Sequence, residues 1–518
     1  MTDIPWLTLA IALPALGGLG VALLPRERAE LAKRVTLGTT LAVLVLVAAM
    51  ATAFTPGGER LQFTEVHPWI PRFGVSYAVG VDGIALLLIL MSAVLVPLVV
   101  LAAWRENDDA DDRGKGYFAL ILVLEAMMIG VFAATDVFLF YVFFEAMLIP
   151  VYFMIGRYGR GPDRRRAAVK FLLYSLLGGL LMLVAVIGVY VYGGTFLWSD
   201  LVGAEGGLAG LDTGTARWLF LGFFIAFAIK APMWPLHTWL PTAAGSSRPG
   251  TAVLLVGVLD KVGTYGMLRY CLEMFPAAAA WFVWPVVVLS LVSIVYGAVL
   301  AIGQSDMLRL VAFTSVSHFG FITLGIFAMT SQGQSGAALY MVNHGFATGA
   351  LFLVVGFLIA RRGSAAIADY QGVQKAAPVL AGVFLVAGLG GLALPGLSPF
   401  VSEFLVFIGT FSVLPVPAVI AAVGVVLAAL YILWMYQRTM TGPLPEEHRG
   451  FTDLSGREVW AVGPLIALIV LFGVYPQPLL DAIAPAVEET MVRLDATDPA
   501  PALGGADLSA DGQEGETE

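Results

Sequence analysis

The sequence predicts an all-α polytopic membrane protein with 14 transmembrane helices. Three observations lead there. Apolar residues make up 59% of the 518-residue chain and charged residues only 13%, against about 25% charged in a typical soluble domain. The mean hydropathy is +0.87, and apolar stretches of about 20 residues, the length that crosses a hydrocarbon core, recur along the chain. The 28 lysines and arginines divide unevenly: 21 fall on one side, at alternate connections and the span ends beside them, five (Arg60, Arg72, Arg217, Arg269 and Arg493) on the other, and two, Lys230 and Lys261, deep inside spans. By the positive-inside rule the richer set is cytoplasmic, and an even number of spans then puts both termini on the opposite side.

The spans are expected near residues 6–24, 36–55, 82–103, 117–133, 135–156, 168–193, 216–237, 251–273, 280–302, 309–329, 336–360, 378–409, 416–437 and 459–478. The first lacks the basic start and small-residue cleavage site of a signal peptide and reads as a retained helix. A minimal turn near Thr135 separates the fourth from the fifth. The connections 57–81 and 194–215 are longer than turns and are expected to cover the face opposite the arginine-rich one. Beyond the last span, 481–518 is acidic and rich in Ala, Gly, Pro and Asp, the composition of a flexible tail.

The single cysteine, Cys271, excludes an intrachain disulfide. The histidines have no metal-ligand spacing, so no metal site is expected. Neither a nucleotide-binding glycine loop nor a basic nucleic-acid surface is apparent.

Two spans carry breaks. In the seventh, Lys230 is followed by Pro232 and Pro235; proline lacks a backbone donor and clashes with the preceding turn, so the helix should open there. A harmless kink would not place a lysine at its apex. The twelfth span repeats the theme with Pro395, Gly396 and Pro399 ahead of Glu403. Matching breaks in two halves of a transporter point to repeats and to an ion site between them. An offset of five spans implies opposite orientations, hence two inverted five-helix repeats. The chain then divides into 1–110 (spans one to three), 111–275 (spans four to eight), 276–440 (spans nine to thirteen), 441–480 (span fourteen) and the tail.

Charges at membrane depth are costly and usually mark a path for protons or ions. Lys230 and Lys261 lie inside spans, as do the acids Glu125, Glu145 and Glu403. Glu145 has no opposite charge on its own helix, and Lys230 is its candidate partner. At about 6 Å and an effective dielectric near 20, such a pair interacts by about 3 kcal/mol. Withdrawal of the carboxylate would favour release of the lysine proton. Asp260 and Lys261 are adjacent, about 100° apart on a helix, and so do not face each other. His318 and His344 lie on successive spans between Lys261 and Glu403 in chain order, and histidine exchanges protons near neutral pH. Thr314, Ser315, Ser317 and Asn343 are expected to hold waters beside them. Glu125 is expected to meet the polar axis or a neighbouring subunit. His237, beyond the break, is expected to connect the axis to the cytoplasmic face. Asp136 reads as structural, and His67 lies in a loop.

Phe144-Glu145-Ala146, the stretch from Ile229 to Pro241 (IKAPMWPLHTWLP) and Ser402-Glu403-Phe404 together resemble the antiporter-like membrane subunits of respiratory complex I, the proton-pumping NADH–quinone oxidoreductase. The resemblance covers nearly the whole chain, about 6–478, and favours the chain M type, whose last axial residue is a glutamate. It implies that Glu145 and Lys230 form the input pair, Lys261 the central relay, His318 and His344 its continuation and Glu403 the way out. It also implies a chain N-like and a chain L-like neighbour, lipids between subunits, a bacterial inner membrane with periplasmic termini, and no cofactor in this chain; flavin, iron–sulfur clusters and quinone belong to other subunits. The family pattern assigns nothing to Asp260. The alternative is a subunit of a multi-subunit cation/proton antiporter or of a membrane-bound hydrogenase-type complex.

Overall fold

The computed structural model describes residues 4–106 and 114–500. Among them, thirteen helices are long and apolar enough to cross a membrane, and fourteen when the bent pair Ile367–Lys375 and Pro378–Gly391 counts as one span. In chain order the spans are Trp6–Leu23, Ala29–Ala53, Gly83–Ala103, Gly114–Ala133, Val137–Gly156, Arg164–Gly193, Thr213–Lys230, Pro249–Leu272, Pro276–Ile302, Met307–Phe327, Ser331–Arg362, the broken twelfth, Pro415–Met440 and Gly456–Val474. Pro378–Gly391 is followed, after a break, by the shorter apolar half-helix Ser398–Val413, and these two occupy the place expected of the broken twelfth span.

Helix starts follow the local sequence. Asp136, Asp212, Asp306 and Thr330 each accept a backbone N–H from the first turn they precede, which satisfies donors that the helix cannot. Asp136 is therefore a cap, in keeping with its structural reading. Ser455 and Glu458 form a reciprocal capping box at the last span.

Burial sorts the spans into an inner and an outer set. The most apolar stretch of spans eight, ten and eleven is wholly buried, whereas only 28% of that stretch is buried in spans two and fourteen. The inner set carries Lys261, His318 and His344. Polar groups are thus held at the centre and apolar side chains turned outward, the order that lipid demands.

The connection before span three forms an antiparallel hairpin, β1 (Gln62–Ile70) and β2 (Val75–Val81). His67, expected in a loop, sits in β1 opposite Tyr77. The turn between spans four and five is stitched to both long connections. Thr135 N–H donates to the Ala78 carbonyl (2.9 Å), Val137 N–H to Phe196 (2.8 Å), and Trp198 N–H to Thr135 (2.9 Å). The two connections do cover this end of the bundle, and one of them does so as β-structure.

The C-terminal reading needs correction. Residues 481–493, expected to be flexible, belong to the helix Gln477–Arg493. Leu479, Ile483, Val487 and Met491, four residues apart, form its buried face. The acidic composition that suggested a tail belongs to the outward face of this helix and to the residues after Arg493; 501–518 lie outside the described residues.

Candidate functional site

The seventh span ends at Lys230, two residues before Pro232, and helical structure resumes with the turn Leu236–Thr238 and the helix Trp239–Ser246. Groups freed by the break find partners. The indole N–H of Trp239 donates to the Ile229 carbonyl (2.8 Å) and Trp234 N–H to Ser293 Oγ of span nine (2.9 Å). The break is thereby pinned open, with the lysine at its edge. Lys230 is fully buried. Its Nζ has no hydrogen-bond partner and stands 4.6 Å from the centre of the Phe144 ring, a cation–π contact.

Glu145 lies one residue beyond Phe144, near the end of the first half of span five, Val137–Ala146. It is the foremost charge acting on Lys230, and Asp260 is the next. Glu145 and Lys230 are thus electrostatic neighbours without a direct hydrogen bond. The Glu145 carboxylate packs against Gly179 of span six so closely that a Cβ there would overlap it.

Span eight carries the next groups. It is π-helical over Leu255–Leu259 and Met267–Leu272, with an α-helical turn and a half, Lys261–Gly266, between. Wide turns of this kind are frequent at functional sites. Lys261 Nζ donates to the Val256 carbonyl and lies 2.7 Å from His344 Nδ1. The His344 and His318 rings meet edge to face with centres 5.2 Å apart. Lys261, His344 and His318 thus form a continuous buried row from span eight through span eleven to span ten.

Beyond His318 the row continues through residues that sequence reasoning missed. The Tyr431 hydroxyl is 3.4 Å from His318 Nε2, and the Tyr340 ring lies 5.9 Å from the His318 ring. The charge of Glu403 acts on both tyrosines. Glu403 is buried in the half-helix Ser398–Val413. That half-helix is tied to span eleven by Asn343 Nδ2, which donates to the Ser398 carbonyl (2.8 Å).

The hydroxyls expected beside the histidines also bond within the bundle. Thr314 and Ser315 donate to the Val311 carbonyl of their own helix, and Ser317 donates to Ile294 of span nine. Their protons are committed to backbone carbonyls, and their oxygens keep the capacity to accept. His237 is buried against Tyr296 and Phe313, with ring centres 5.3 and 6.4 Å away. The neighbouring Thr238 carbonyl receives Lys170 Nζ (2.7 Å). Glu125 is fully buried with both carboxyl oxygens unpartnered, and the row from Lys261 to Glu403 does not include it. Among the described residues, no group of three or more His, Cys, Asp or Glu side chains is arranged to hold a metal.

A second polar cluster, also missed, closes the end opposite the arginine-rich face. Arg269 pairs with Asp82 (2.7 Å), and Arg60 with Glu273 (2.6 Å); Arg493 also pairs with Glu273. The guanidinium carbons of Arg269 and Arg493 stand 3.9 and 4.6 Å from the centre of the Trp198 ring. Three of the five basic residues assigned to this side therefore converge on one tryptophan and two acids.

Comparison with known proteins bears on the family and the fold. The family model described as NADH:quinone oxidoreductase/Mrp antiporter, TM matches residues 134–430, which include Glu145, Lys230, Asp260, Lys261, His318, His344 and Glu403. The chain is 51% identical to NADH-quinone oxidoreductase subunit M of Mycobacterium tuberculosis strain H37Rv, over 97% of each chain. Its fold matches a chain of respiratory complex I from Thermus thermophilus, solved with bound NADH. The TM-score is 0.84 at 35% identity, covering 94% of this chain and 99% of that one. A chain of the Mrp complex from Dietzia sp. DQ12-45-1b, 23% identical, has the same fold, with a TM-score of 0.83 covering 95% of this chain and 98% of that one. The chain belongs to the subunit M family of NADH-quinone oxidoreductases, the proton-translocating, antiporter-like membrane subunits of respiratory complex I.

Proposed function

We propose that protons cross this subunit along the buried row, with Glu145 and Lys230 as the input pair. Lys261 is the central relay, His344 and His318 carry the proton onward, and Glu403 delivers it to the far side. The observation that carries this reading is the 2.7 Å approach of Lys261 Nζ to His344 Nδ1 in a wholly buried setting. An ammonium has donors only, whereas imidazole can accept at one nitrogen while donating at the other. The pair is thus suited to pass a proton in either direction.

The drive is electrostatic. A change at the Glu145–Lys230 pair alters the charge of Lys230, and that change passes along the row. Each proton moved against the membrane potential costs about 2.3 kcal/mol per 100 mV. An interaction of about 3 kcal/mol between neighbouring charges matches that cost. His237 follows the break in the chain, and Lys170 Nζ donates to the adjacent Thr238 carbonyl; the two are the supply route from the arginine-rich face in this reading. Glu125 is assigned to an adjoining subunit contact or to a side branch of the axis.

In this reading the arginine-rich face is cytoplasmic, both termini are periplasmic, and the membrane is a bacterial inner membrane. A chain N-like subunit flanks one side and a chain L-like subunit the other, with lipids between. Flavin, iron–sulfur clusters and quinone are held by other subunits.

The test is NADH-driven proton uptake into vesicles bearing the assembled complex, with Lys230→Ala beside the wild type. Loss of pumping in a fully assembled variant supports the route, and undiminished pumping removes it.

A further inference from the structure

We propose that Asp260 is a proton-carrying residue that bridges Lys230 and Lys261. The proposal rests on the proton-route reading above and extends it to a residue that the route leaves out. The observation is a division of faces on span eight. Gly263 and Gly266 press on the seventh span at its break: a Cβ at Gly263 would meet the Phe227 carbonyl and Ala231, and one at Gly266 the Phe227 ring. Residues three apart share a helix face, so Asp260 belongs to this face. Gly257 lies in the π-helical stretch Leu255–Leu259, whose wider turn breaks the three-residue spacing, and it instead meets Leu95 of span three and the Gly345 carbonyl of span eleven. Lys261, four residues on, shares that face and contacts His344. Two consecutive residues thus address two different neighbours, Asp260 the lysine break and Lys261 the histidine.

The carboxyl of Asp260 is fully buried and both its oxygens lack a hydrogen-bond partner. The aspartates that cap helix starts, Asp136 and Asp306, are held by backbone hydrogen bonds; Asp260, within span eight, is not. Burying a carboxyl without them costs several kcal/mol. The charged groups that act on it are Lys261 first and then Lys230, and Lys230 Nζ is likewise without a hydrogen-bond partner. An unsatisfied acid between two lysines, one of them also unsatisfied, is poised for exchange rather than for packing.

The transfer balances in two steps. The Lys230 ammonium gives a proton to the Asp260 carboxylate, leaving a neutral amine and a carboxylic acid. The acid then gives that proton to the neutral Lys261 amine, restoring the carboxylate and forming an ammonium. The four-carbon lysine stems supply the reach that the short aspartate lacks.

The test uses the assembled complex in vesicles, comparing Asp260→Asn, Asp260→Glu and Lys230→Ala for NADH oxidation and proton uptake. Asparagine keeps the shape and cannot carry the proton. The expected result is a loss of about tenfold or more in both activities for D260N, with most of both retained in D260E. Wild-type pumping in D260N beside impaired pumping in K230A overturns the bridge alone. Wild-type pumping in K230A overturns the underlying route and the bridge with it. If D260N does not assemble, redox-induced infrared difference spectra of the wild type and D260E decide. A protonated-carboxyl band that shifts in D260E supports the bridge, and identical bands overturn it.

Discussion

Lys261 Nζ is 2.7 Å from His344 Nδ1 and also donates to the Val256 carbonyl of its own helix. When Lys261 is an ammonium, Nδ1 must accept, so a neutral His344 carries its proton on Nε2. When Lys261 is an amine, the roles reverse and His344 becomes the donor. His344→Gln retains bulk but lacks this pair of exchanging nitrogens. The assembled H344Q complex should lose about tenfold or more of its proton uptake. Uptake equal to that of the wild type would show that the histidine only packs.

Tyr431 tests the far half of the row. Its hydroxyl lies 3.4 Å from His318 Nε2, and Glu403 acts on it from the other side. Tyr431→Phe removes one oxygen and leaves the ring in place. Proton uptake per NADH oxidised should fall in Y431F while the thermal stability of the complex changes by no more than about 1 kcal/mol, the worth of one hydrogen bond. A large loss of stability with unchanged uptake would assign the hydroxyl to packing.

These tyrosines show where sequence patterns stop informing. Lys230, Lys261 and Glu403 stood out because a charge in an apolar span is conspicuous wherever it lies. The helix ends at Lys230 and Gly391 were legible because proline and glycine act locally. Tyr340 and Tyr431 differ little in apolarity from their neighbours, and only the meeting of spans ten, eleven and thirteen gives them a partner. The hairpin Gln62–Val81 and the helix Gln477–Arg493 were obscured differently. Both lie outside the hydrocarbon, where hydropathy no longer separates structure from connection. The cluster around Trp198 joins residues 60, 82, 269, 273 and 493, separations over which no periodicity extends.

Gly179 offers a steric test of Glu145 that leaves every charge in place. An added Cβ would overlap the carboxylate, so Gly179→Ala must displace Glu145 or the helices around it. Overpacking of this kind costs about 1–3 kcal/mol. Because Glu145 is the foremost charge on Lys230, G179A should slow pumping much as Glu145→Gln does. The double variant should then be little worse than either single one, since both act on one interaction. Additive losses in the double variant would separate the two residues.

Glu273 is the hub of the opposite-face cluster. It accepts from Arg60 Nη2 (2.6 Å) and from the Thr490 hydroxyl (2.8 Å), and it pairs with Arg493. Glu273→Gln leaves two guanidiniums facing a neutral amide. Arg60 keeps Asp82 and Glu489 as partners and Arg493 keeps Glu489, so the expected loss is about 1–3 kcal/mol, that of charge-assisted hydrogen bonds rather than of an orphaned charge. The helix Gln477–Arg493 should loosen first, read as faster amide exchange over 477–493 with span eight still protected. Unchanged exchange there would show that the apolar face of Leu479, Ile483, Val487 and Met491 holds the helix without the ion pairs.

Asp453 carries a pH signature outside the membrane. Burial works against its ionised form. Backbone N–H donors from Val379, Leu380 and Leu454, together with Arg361, outweigh burial and hold its carboxyl below the ordinary aspartate range. The first two of those donors, at 2.9 Å each, belong to the first turn of Pro378–Gly391. A carboxylate from the connection before span fourteen therefore caps the broken twelfth span. A group with a depressed folded-state pKa contributes stability above its unfolded value, about 3.9 for aspartate, and that contribution is lost as pH falls through the folded value. Asp453→Asn should therefore be less stable than the wild type at neutral pH, by about 1 kcal/mol as for a lost cap. The gap should close as pH falls below about 4. Melting curves of the two proteins across that range check the sign. A gap that persists at low pH would mean that the cap acts through shape and hydrogen bonding, not through its charge.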